Sequence, residues 1–469
     1  MNKSRLHSPH ILHASHNSDR ELWWLPVLPP QASRIAALLF AILTTAFAAW
    51  AQAPPAPPTS GAAQPALSWD QVKARFEAAN PALRADAIGI DEAKAEEITA
   101  FLRPNPNMSY LLDQLYPFYT NAYSGTKGTA VNIGYRPFEN ALNEGTLSYL
   151  HERQHKRELR LEDAKENTEI TASEHADLER NMIFNLRGAF VQTLQAKAVL
   201  ALARADIEYY DKIIQISRDR FKAGDIAQID LDRIELLRVQ YEIEIQTAIV
   251  NLRTAKIELL QLLNQRTPVE QFDVTGNFDW SEQLQPLDDF HQIALDSRPD
   301  LRAAMQAIDK AKTDHRLAIA NGSTDPTFLV DAGANPPLDP YIGVGFSIPL
   351  RIFDRNQGEK KRTLLDIERS QETANAARAQ VFSDVDSSYE QVLSNITLLK
   401  PYRDKYRDQA THVRDIVTFS YQHGGASLMD FLNAQTDYRV VQLAYLQLIG
   451  AYLTAASQLN LAVGREVIQ

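Results

Sequence analysis

Two stretches of this chain carry the same turn-forming pattern, 200 residues apart in a sequence of 469. Around Gly224 and again around Gly424, a long helical pattern is interrupted by a glycine, and an aspartate follows six residues later, at Asp230 and Asp430. Glycine tolerates the positive φ that a tight turn between helices requires, so each stretch predicts a helical hairpin. Because both keep one register, we infer that the chain contains two copies of one architecture.

A second pair of segments supports the duplication. Residues 80–94 and 298–312 agree at 8 of 15 positions. The identical pairs are Pro81/Pro299, Leu83/Leu301, Arg84/Arg302, Ala85/Ala303, Ile90/Ile308, Asp91/Asp309, Ala93/Ala311 and Lys94/Lys312. The offset here is 218 residues instead of 200, so the first copy holds 18 extra residues between its early helix and its hairpin. We expect an insertion of that size to lie in a loop.

The N-terminal residues have the pattern of a secretory signal. Arg34 precedes an apolar run over residues 35–43, and residues 51–53 supply the small side chains that a signal peptidase requires. The run is too short and interrupted for a membrane-spanning helix. We divide the chain into a signal peptide with a long n-region (1–53), a proline-rich linker (54–67), a first repeat (68–290) and a second repeat (291–469).

Composition and motifs argue against several classes of function. The sequence contains no cysteine, which removes disulfides, thiolate metal sites and a lipid-modified N-terminal cysteine. Its net charge is −11, and nucleic acid is a poor partner for so acidic a chain. The sequence has no P-loop, no His-Glu-x-x-His motif and no dinucleotide fingerprint. We therefore predict a protein that is not an enzyme and needs neither cofactor nor metal.

The middle of each half predicts helices far longer than those of ordinary globular proteins. Residues 153–221 contain no proline and as one helix would span on the order of 100 Å; a second long helix is predicted over 359–422. From Phe431 to Ala462, apolar residues recur at alternating spacings of three and four, which is a heptad-type seam. Helices this long must pack side by side. Periodicity alone also fits a simple antiparallel coiled coil.

A strand pattern lies between the early helix and the long helix of each half. Apolar and other residues alternate over residues 108–113, 131–136, 328–332 and 342–350, which predicts four strands. In a secreted chain, strands with one apolar face indicate a transmembrane β-barrel. Four strands cannot close a barrel around a channel, whereas three copies would supply twelve. A soluble sheet is the alternative.

Taken in order, these motifs resemble the outer membrane efflux protein (TolC) family. The resemblance rests on Asn-Pro-Ala-Leu at 80–83, Arg-Pro-Asp-Leu at 298–301, Ser-Ile-Pro-Leu at 347–350 leading to Phe-Asp-Arg-Asn-Gln-Gly at 353–358, and both hairpins. It implies a mainly α fold with a β-barrel portion. Long antiparallel coiled-coil helices would form an α-barrel, each protomer of a homotrimer adding four transmembrane strands. The run at 353–358 looks nearest to the cation-efflux branch.

The resemblance also implies a function. Such a chain would be the outer-membrane exit duct of a tripartite efflux or secretion system, extending into the periplasm as a passive conduit. A periplasmic adaptor protein and an inner-membrane pump would supply the substrate. The alternative from another class is a periplasmic coiled-coil adaptor or scaffold outside the membrane, which would show one hairpin between soluble β domains.

The resemblance places a gate at the hairpin tips. It implies a latch between Asp230 and Tyr421 and an acidic ring containing Asp430. Ala426 and Asn433 stand where TolC itself has an arginine and a second acidic residue, so the latch is partial. As structural alternatives, a carboxylate stabilises the start of any helix, and Tyr421 can simply pack.

The tips are also expected to contact the adaptor. The residues concerned are Gly224, Asp225, Gly424 and Gly425.

Overall fold

The computed structural model is mainly helical, with a small antiparallel sheet. It describes residues 65–113, 119–123, 130–134, 141–335 and 338–468. The predicted signal peptide and nearly all of the linker lie outside these residues.

The helices and strands follow one another in a simple order. The helices are α1 (Trp69–Ala79), α2 (Pro81–Phe101), α3 (Lys156–Ala223), α4 (Gln228–Leu262), α5 (Leu287–Ser297), α6 (Pro299–Asn321), α7 (Gln357–Pro401), α8 (Arg407–Gln422) and α9 (Leu428–Val463). A π turn (Tyr402–Tyr406) joins α7 to α8, and a 3₁₀ turn (Val269–Gln271) follows α4. The strands are β1 (Asn107–Asp113), β2 (Tyr119–Tyr123), β3 (Ala130–Gly134), β4 (Leu142–Leu150), β5 (Thr327–Ala334) and β6 (Tyr341–Ser347).

Both halves begin with the same pair of helices. α1 and α5 each have 11 residues, and the helix that follows each of them begins at a proline, Pro81 or Pro299. Proline suits the first helical position because its missing N–H has no partner there anyway. Asn80 caps α2, since its side chain accepts the N–H groups of Ala82 and Leu83 at 2.9 and 3.2 Å. Arg298 takes the same place before α6 without a side-chain cap.

The sheet differs from the sequence prediction in one strand. Four antiparallel strands pair in the order β1-β4-β5-β6. The strand predicted over 131–136 corresponds to β3, which pairs with β2 in a separate two-stranded ribbon. β4 was not predicted, because Asn143, Glu144 and Gly145 interrupt any apolar alternation, yet it pairs with β1 and β5 at the centre of the sheet.

The two faces of the sheet differ in chemistry. One cross-strand row consists of Met108, Leu147, Val330 and Val344, all exposed. The row beside it, on the other face, consists of Ser109, Thr146, Asp331 and Gly343. Since neighbouring residues of a strand point to opposite faces, these two rows lie on opposite faces, one apolar and the other polar or small. The second face also carries Leu111, Leu329 and Tyr341 in its other rows.

The connection between β1 and β4 is much longer than that between β5 and β6. Residues 114–141, which include the β2–β3 ribbon, join the first pair, and residues 335–340 join the second. The first half is therefore longer at the loop between its strands, where a long insertion does not disturb the helices.

The second long helix is interrupted, unlike the prediction of one helix over 359–422. Pro401 has no N–H to donate, and the π turn beginning at Tyr402 absorbs the break. A π turn contains one residue more than an α-helical turn, so the positions that face α9 shift by one residue after it. Val392 and Leu399 are buried before the turn; after it Arg407 and Arg414, instead of residues 406 and 413, stack on tyrosines of α9.

The core runs along the helix bundle as successive clusters. In the first half the largest buried side chains include Phe76, Leu186 and Leu259, and in the second Phe290, Tyr452 and Leu459. Among the described helices, α9 alone is long and apolar enough to span a membrane, but 44% of its most apolar window is buried. It packs against α3, α5, α7 and α8, so its apolar surface belongs to the bundle.

Arg298 connects three helices and offers a test of this core. Its guanidinium donates to Asp384 of α7 at 2.8 Å, to the Ala462 carbonyl of α9 at 3.2 Å and to Asp300 of α6 at 2.6 Å. Removing the buried arginine leaves the half-buried carboxylates of Asp300 and Asp384 without this partner. We expect Arg298→Ala to lower the free energy of unfolding by about 3 kcal/mol, measured by urea denaturation followed by circular dichroism.

The matched control is Arg302→Ala, one turn further along α6, where the arginine is exposed. It should change stability by less than about 0.5 kcal/mol. Equal effects of the two substitutions would contradict the bridging role of Arg298.

Candidate functional site

The two hairpin turns have the same backbone geometry. Gly224 and Gly424 have φ angles of 83° and 77°, which lie in the left-handed region that favours glycine. In each turn the next residue, Asp225 or Gly425, donates its N–H to the carbonyl five residues earlier, at 2.9 and 2.8 Å. These are the bonds of a glycine-terminated helix, so both glycines have a structural role in the turn.

The two hairpins pack side by side in one row of helices. α3 lies between α4 and α9, and α9 lies between α3 and α8. α4 and α8 are therefore the edge helices of the row. Since α3 leads from β4 to the first turn and α7–α8 lead from β6 to the second, both tips lie at the far end of long helices from the sheet.

Tyr421 is part of the packing between the tips. Its side chain is buried, and its ring stacks on Phe431 with the centroids 5.0 Å apart. The surrounding buried cluster consists of Tyr210, Ile213, Ile214, Ile234, Tyr421, Leu428 and Phe431, with Ala426 packed against it. The Tyr421 hydroxyl is buried and has no hydrogen-bond partner among the described residues.

Asp230 and Tyr421 are not joined within the protomer. Asp230 is half-buried in the first turn of α4, where its backbone N–H donates to the Ala227 carbonyl at 3.1 Å, and its side chain has no hydrogen-bond partner among the described residues. The tip contact is made instead by Arg220, which donates to the Tyr421 carbonyl and lies 5.2 Å from the centre of its ring. No sequence pattern predicts a role for Arg220, because the corresponding residue of the second hairpin is Ser420 and the duplicated pattern does not include it.

Asp430 caps the helix in which it lies. Its backbone N–H donates to Ser427 Oγ at 3.1 Å, and the Ser427 N–H donates back to Asp430 Oδ2 at 3.2 Å, which is a capping box. Hydrogen bonds from the Ser427 hydroxyl and backbone lower the pKa of the Asp430 carboxyl. The side chain is exposed, so it presents a permanent negative charge at the tip.

Polar contacts join the hairpins above the tip cluster. Arg439 of α9 donates to both carboxylate oxygens of Glu244 of α4, at 2.7 and 2.9 Å. The Tyr209 hydroxyl of α3 donates to Thr418 of α8 at 3.0 Å. Both contacts are partly buried, so their geometry is better fixed than that of a surface pair.

Asp206 is a buried acid at the same level. Burial raises the pKa of its carboxyl to about 6, and the charges of Arg439 and Arg414 offset this only in part. Glu244 raises the pKa further, and Tyr241 is the other titratable group nearby. A carboxyl with a raised pKa favours the packed state only when protonated.

This gives a pH-dependent prediction. The contribution of Asp206 to the packing is fully present below its ordinary pKa of 3.8 and is lost as the pH rises through about 6. Asp206→Asn should therefore stabilise the protein at pH 8, by roughly 1–3 kcal/mol after solvent screening, and much less at pH 4. Thermal unfolding across that pH range measures the difference.

Glu208→Gln is the control, because that carboxylate is exposed on the same helix. Its effect should not vary in the same way. A pH-independent effect of Asp206→Asn would contradict the assignment.

Comparisons with known proteins agree with this fold. Residues 291–465 match the family model of the outer membrane efflux proteins. The cobalt-zinc-cadmium resistance protein CzcC of Cupriavidus metallidurans is 22% identical, over 66% of this chain and 74% of its own length. Outer membrane protein TolC of Salmonella enteritidis is 23% identical, over 55% of this chain and 56% of its own length.

The solved structures extend the similarity to nearly the whole described chain. The crystal structure of CusC superposes with a TM-score of 0.68 at 16% identity and covers 88% of this chain and 98% of the CusC chain. The fold is therefore that of outer-membrane efflux channels. Over residues 291–465 the chain is similar to the outer membrane efflux proteins, and the similar proteins are outer-membrane efflux channels that extend into the periplasm. A periplasmic adaptor or scaffold is not favoured.

Proposed function

We propose that three copies of this chain form the exit duct of a tripartite efflux system. Their sheets close a twelve-stranded barrel in the outer membrane, and their hairpins form a helical tunnel in the periplasm. A periplasmic adaptor and an inner-membrane pump deliver the substrate. The observation that carries this proposal is the separation of an exposed apolar sheet from paired helical tips by helices on the order of 100 Å long.

The sheet has the surface that lipid requires. Its apolar rows are exposed in the protomer, with Met108 at 79% and Val344 at 83% of full exposure. In water such an apolar patch would promote aggregation, whereas in a bilayer it faces the acyl chains. The opposite face, with its glycines and polar side chains, suits a water-filled lumen.

The edges of the sheet argue for more than one copy. Among the described strands, β1 and β6 each pair on one side only, and an open edge cannot persist in lipid, where unpaired backbone groups have no water to bind. Pairing β1 of one copy with β6 of the next removes both edges of the four-stranded sheet. Three copies are the number that the family resemblance implies.

The nature of the substrate follows from the partners more than from this chain. Among the described residues no group of three or more His, Asp or Glu side chains could hold a metal ion. The relative from Cupriavidus metallidurans is named a cobalt-zinc-cadmium resistance protein. Divalent cations are therefore the first class of substrate to test.

We place the entrance at the hairpin tips. Around a threefold axis, Asp430 would contribute three carboxylates to one ring. A latch between Asp230 and Tyr421 would require Tyr421 to leave its packing on Phe431, since Asp230 and Tyr421 do not meet within the protomer. The turns at Gly224, Asp225, Gly424 and Gly425 are exposed or half-exposed and form the surface that an adaptor would contact.

The proposal is tested by expressing the full chain in a Gram-negative host and fractionating the membranes. We expect the mature protein in the outer membrane, with the mass of three chains in mild detergent and stepwise conductance in planar bilayers. Pump and adaptor genes should be needed for export of the substrate. A soluble monomer in the periplasm would rule out the exit-duct function.

The tip charge is tested by Asp430→Asn. Three carboxylates around one axis attract cations, so the substitution should lower the cation preference of the pore, measured as the reversal potential in a salt gradient. Asp309→Asn removes an equal charge on exposed α6, away from the tips, and should leave selectivity unchanged. If the two variants behave alike, Asp430 serves only as the helix cap.

A further inference from the structure

The edge helix α4 carries an exposed apolar stripe. Ile229, Leu236, Ile243, Val250 and Ile257 follow one another at spacings of seven residues, and all are more than half exposed, from 53% for Ile257 to 71% for Leu236. Residues spaced by seven form one line along a coiled-coil helix. This line is the seam of a helical pair whose second helix is absent from the protomer.

The stripe lies on the opposite side of α4 from the packed seam. The side that packs on α3 contains Ile234, Ala248, Ala255 and Leu259, which are buried. In heptad geometry the stripe is about half a turn away from these positions. A helix with apolar seams on two opposite sides has a neighbour on each side, and here only one is supplied.

The other edge helix shows the same arrangement. Outside the face that packs on α9, α8 exposes Val413, Ile416 and Phe419, and the π turn and α7 expose Tyr406 and Leu398. Leu398 stays in line with Tyr406 although eight residues separate them, because the π turn contains one extra residue. Both edges of the row are therefore apolar.

The register between the two edges follows from the stagger of the hairpins. Arg439, eleven residues into α9, contacts Glu244, sixteen residues into α4. A Cβ added at Gly450 would meet the side chain of Gln195 of α3, which gives a similar offset. The second hairpin is thus displaced from the first by roughly five or six residues, or about 8 Å.

When copies are related by rotation about an axis parallel to the helices, equivalent residues of all copies lie at the same height along that axis. The stagger between the two hairpins of one copy therefore also fixes which residues of neighbouring copies face each other. α4 and α8 run in opposite directions, so the residue number rises along one helix as it falls along the other. With this stagger, a residue of α4 and the residue of α8 that faces it have numbers that add to about 656. Every exposed apolar residue of the second edge then meets one of the first. Four pairs come from the stripe, and the fifth from Val239, which is exposed beside it. The pairs are Leu236/Phe419, Val239/Ile416, Ile243/Val413, Val250/Tyr406 and Ile257/Leu398, while Ile229 lies beyond the end of α8.

We propose that the α4 stripe is covered by α8 and the end of α7 of a second copy of this chain, in this register. The interface is an antiparallel heptad seam of five apolar pairs. It rests on the proposed trimer and adds the residues that join one copy to the next. A shift by one heptad would still align Ile243 with Tyr406, but it would leave Ile416 opposite Arg233.

The absence of cysteine makes a direct test possible, because every cross-link must come from introduced residues. The first variant carries Ile243→Cys and Val413→Cys, and the second carries Val250→Cys and Tyr406→Cys. Facing Cβ atoms in such a seam come close enough for a disulfide. After mild oxidation of intact outer membranes, we expect both variants to run as covalent dimers and trimers on a denaturing gel and to return to monomers on reduction.

The control pairs Ile243→Cys with Tyr406→Cys, which belongs to the register shifted by one heptad. It should stay monomeric on the gel, as should each single variant. Because all these positions are exposed within the protomer, the substitutions should leave its fold intact, and the mass in mild detergent checks this.

The outcomes separate the seam from the trimer. A trimer by mass with cross-links only in the control pair would overturn the register. A trimer without any cross-link would show that the stripe faces another occupant, such as an adaptor helix. A protein that is monomeric by mass would overturn the proposed function itself.

Discussion

The structure depends on apolar seams between helices that are too long to enclose a globular core. α3, with 68 residues, has no other way to bury its apolar side chains than to lie along α2, α4, α6 and α9. Burial at roughly 25 cal/mol per Å² accumulates along the whole length. Because each seam repeats every seven residues, a helix that slides along its neighbour loses little packing free energy at any one contact. The loss adds up over the many contacts of a long seam, so the sequence must specify the register.

Specific residues fix that register where heptads alone would leave it open. The helix starts at Pro81 and Pro299 set the early helices, and Gly224 and Gly424 end the long ones. The π turn after Pro401 then changes the phase of one helix by a residue. Two similar halves therefore present different edges, and a closed ring needs that difference, since the edge helices of neighbouring copies must complement each other.

Much of this could be predicted from the sequence because it is local. A glycine at positive φ, a proline at a helix start and a carboxylate three residues after Ser427 each act within one turn. The strand β4 could not be predicted, because Asn143, Glu144 and Gly145 interrupt its apolar alternation and only its pairing with β1 and β5 identifies it as a strand. The contact of Arg220 with Tyr421 joins residues some 200 positions apart, and the pKa of Asp206 is raised by its burial in the folded chain. No local pattern records either of them.

The packing between the hairpin tips leaves a buried hydroxyl group without a hydrogen-bond partner among the described residues. Tyr421 gains from stacking on Phe431, but its buried hydroxyl has no partner among the described residues, and such a group costs about 1–3 kcal/mol. Separating the hairpins would give that hydroxyl water and would also hydrate Asp206. Both groups therefore lower the free energy needed to part the tips, while the seams within each hairpin are untouched. In the proposed entrance, opening would then require only that two intact hairpins move apart.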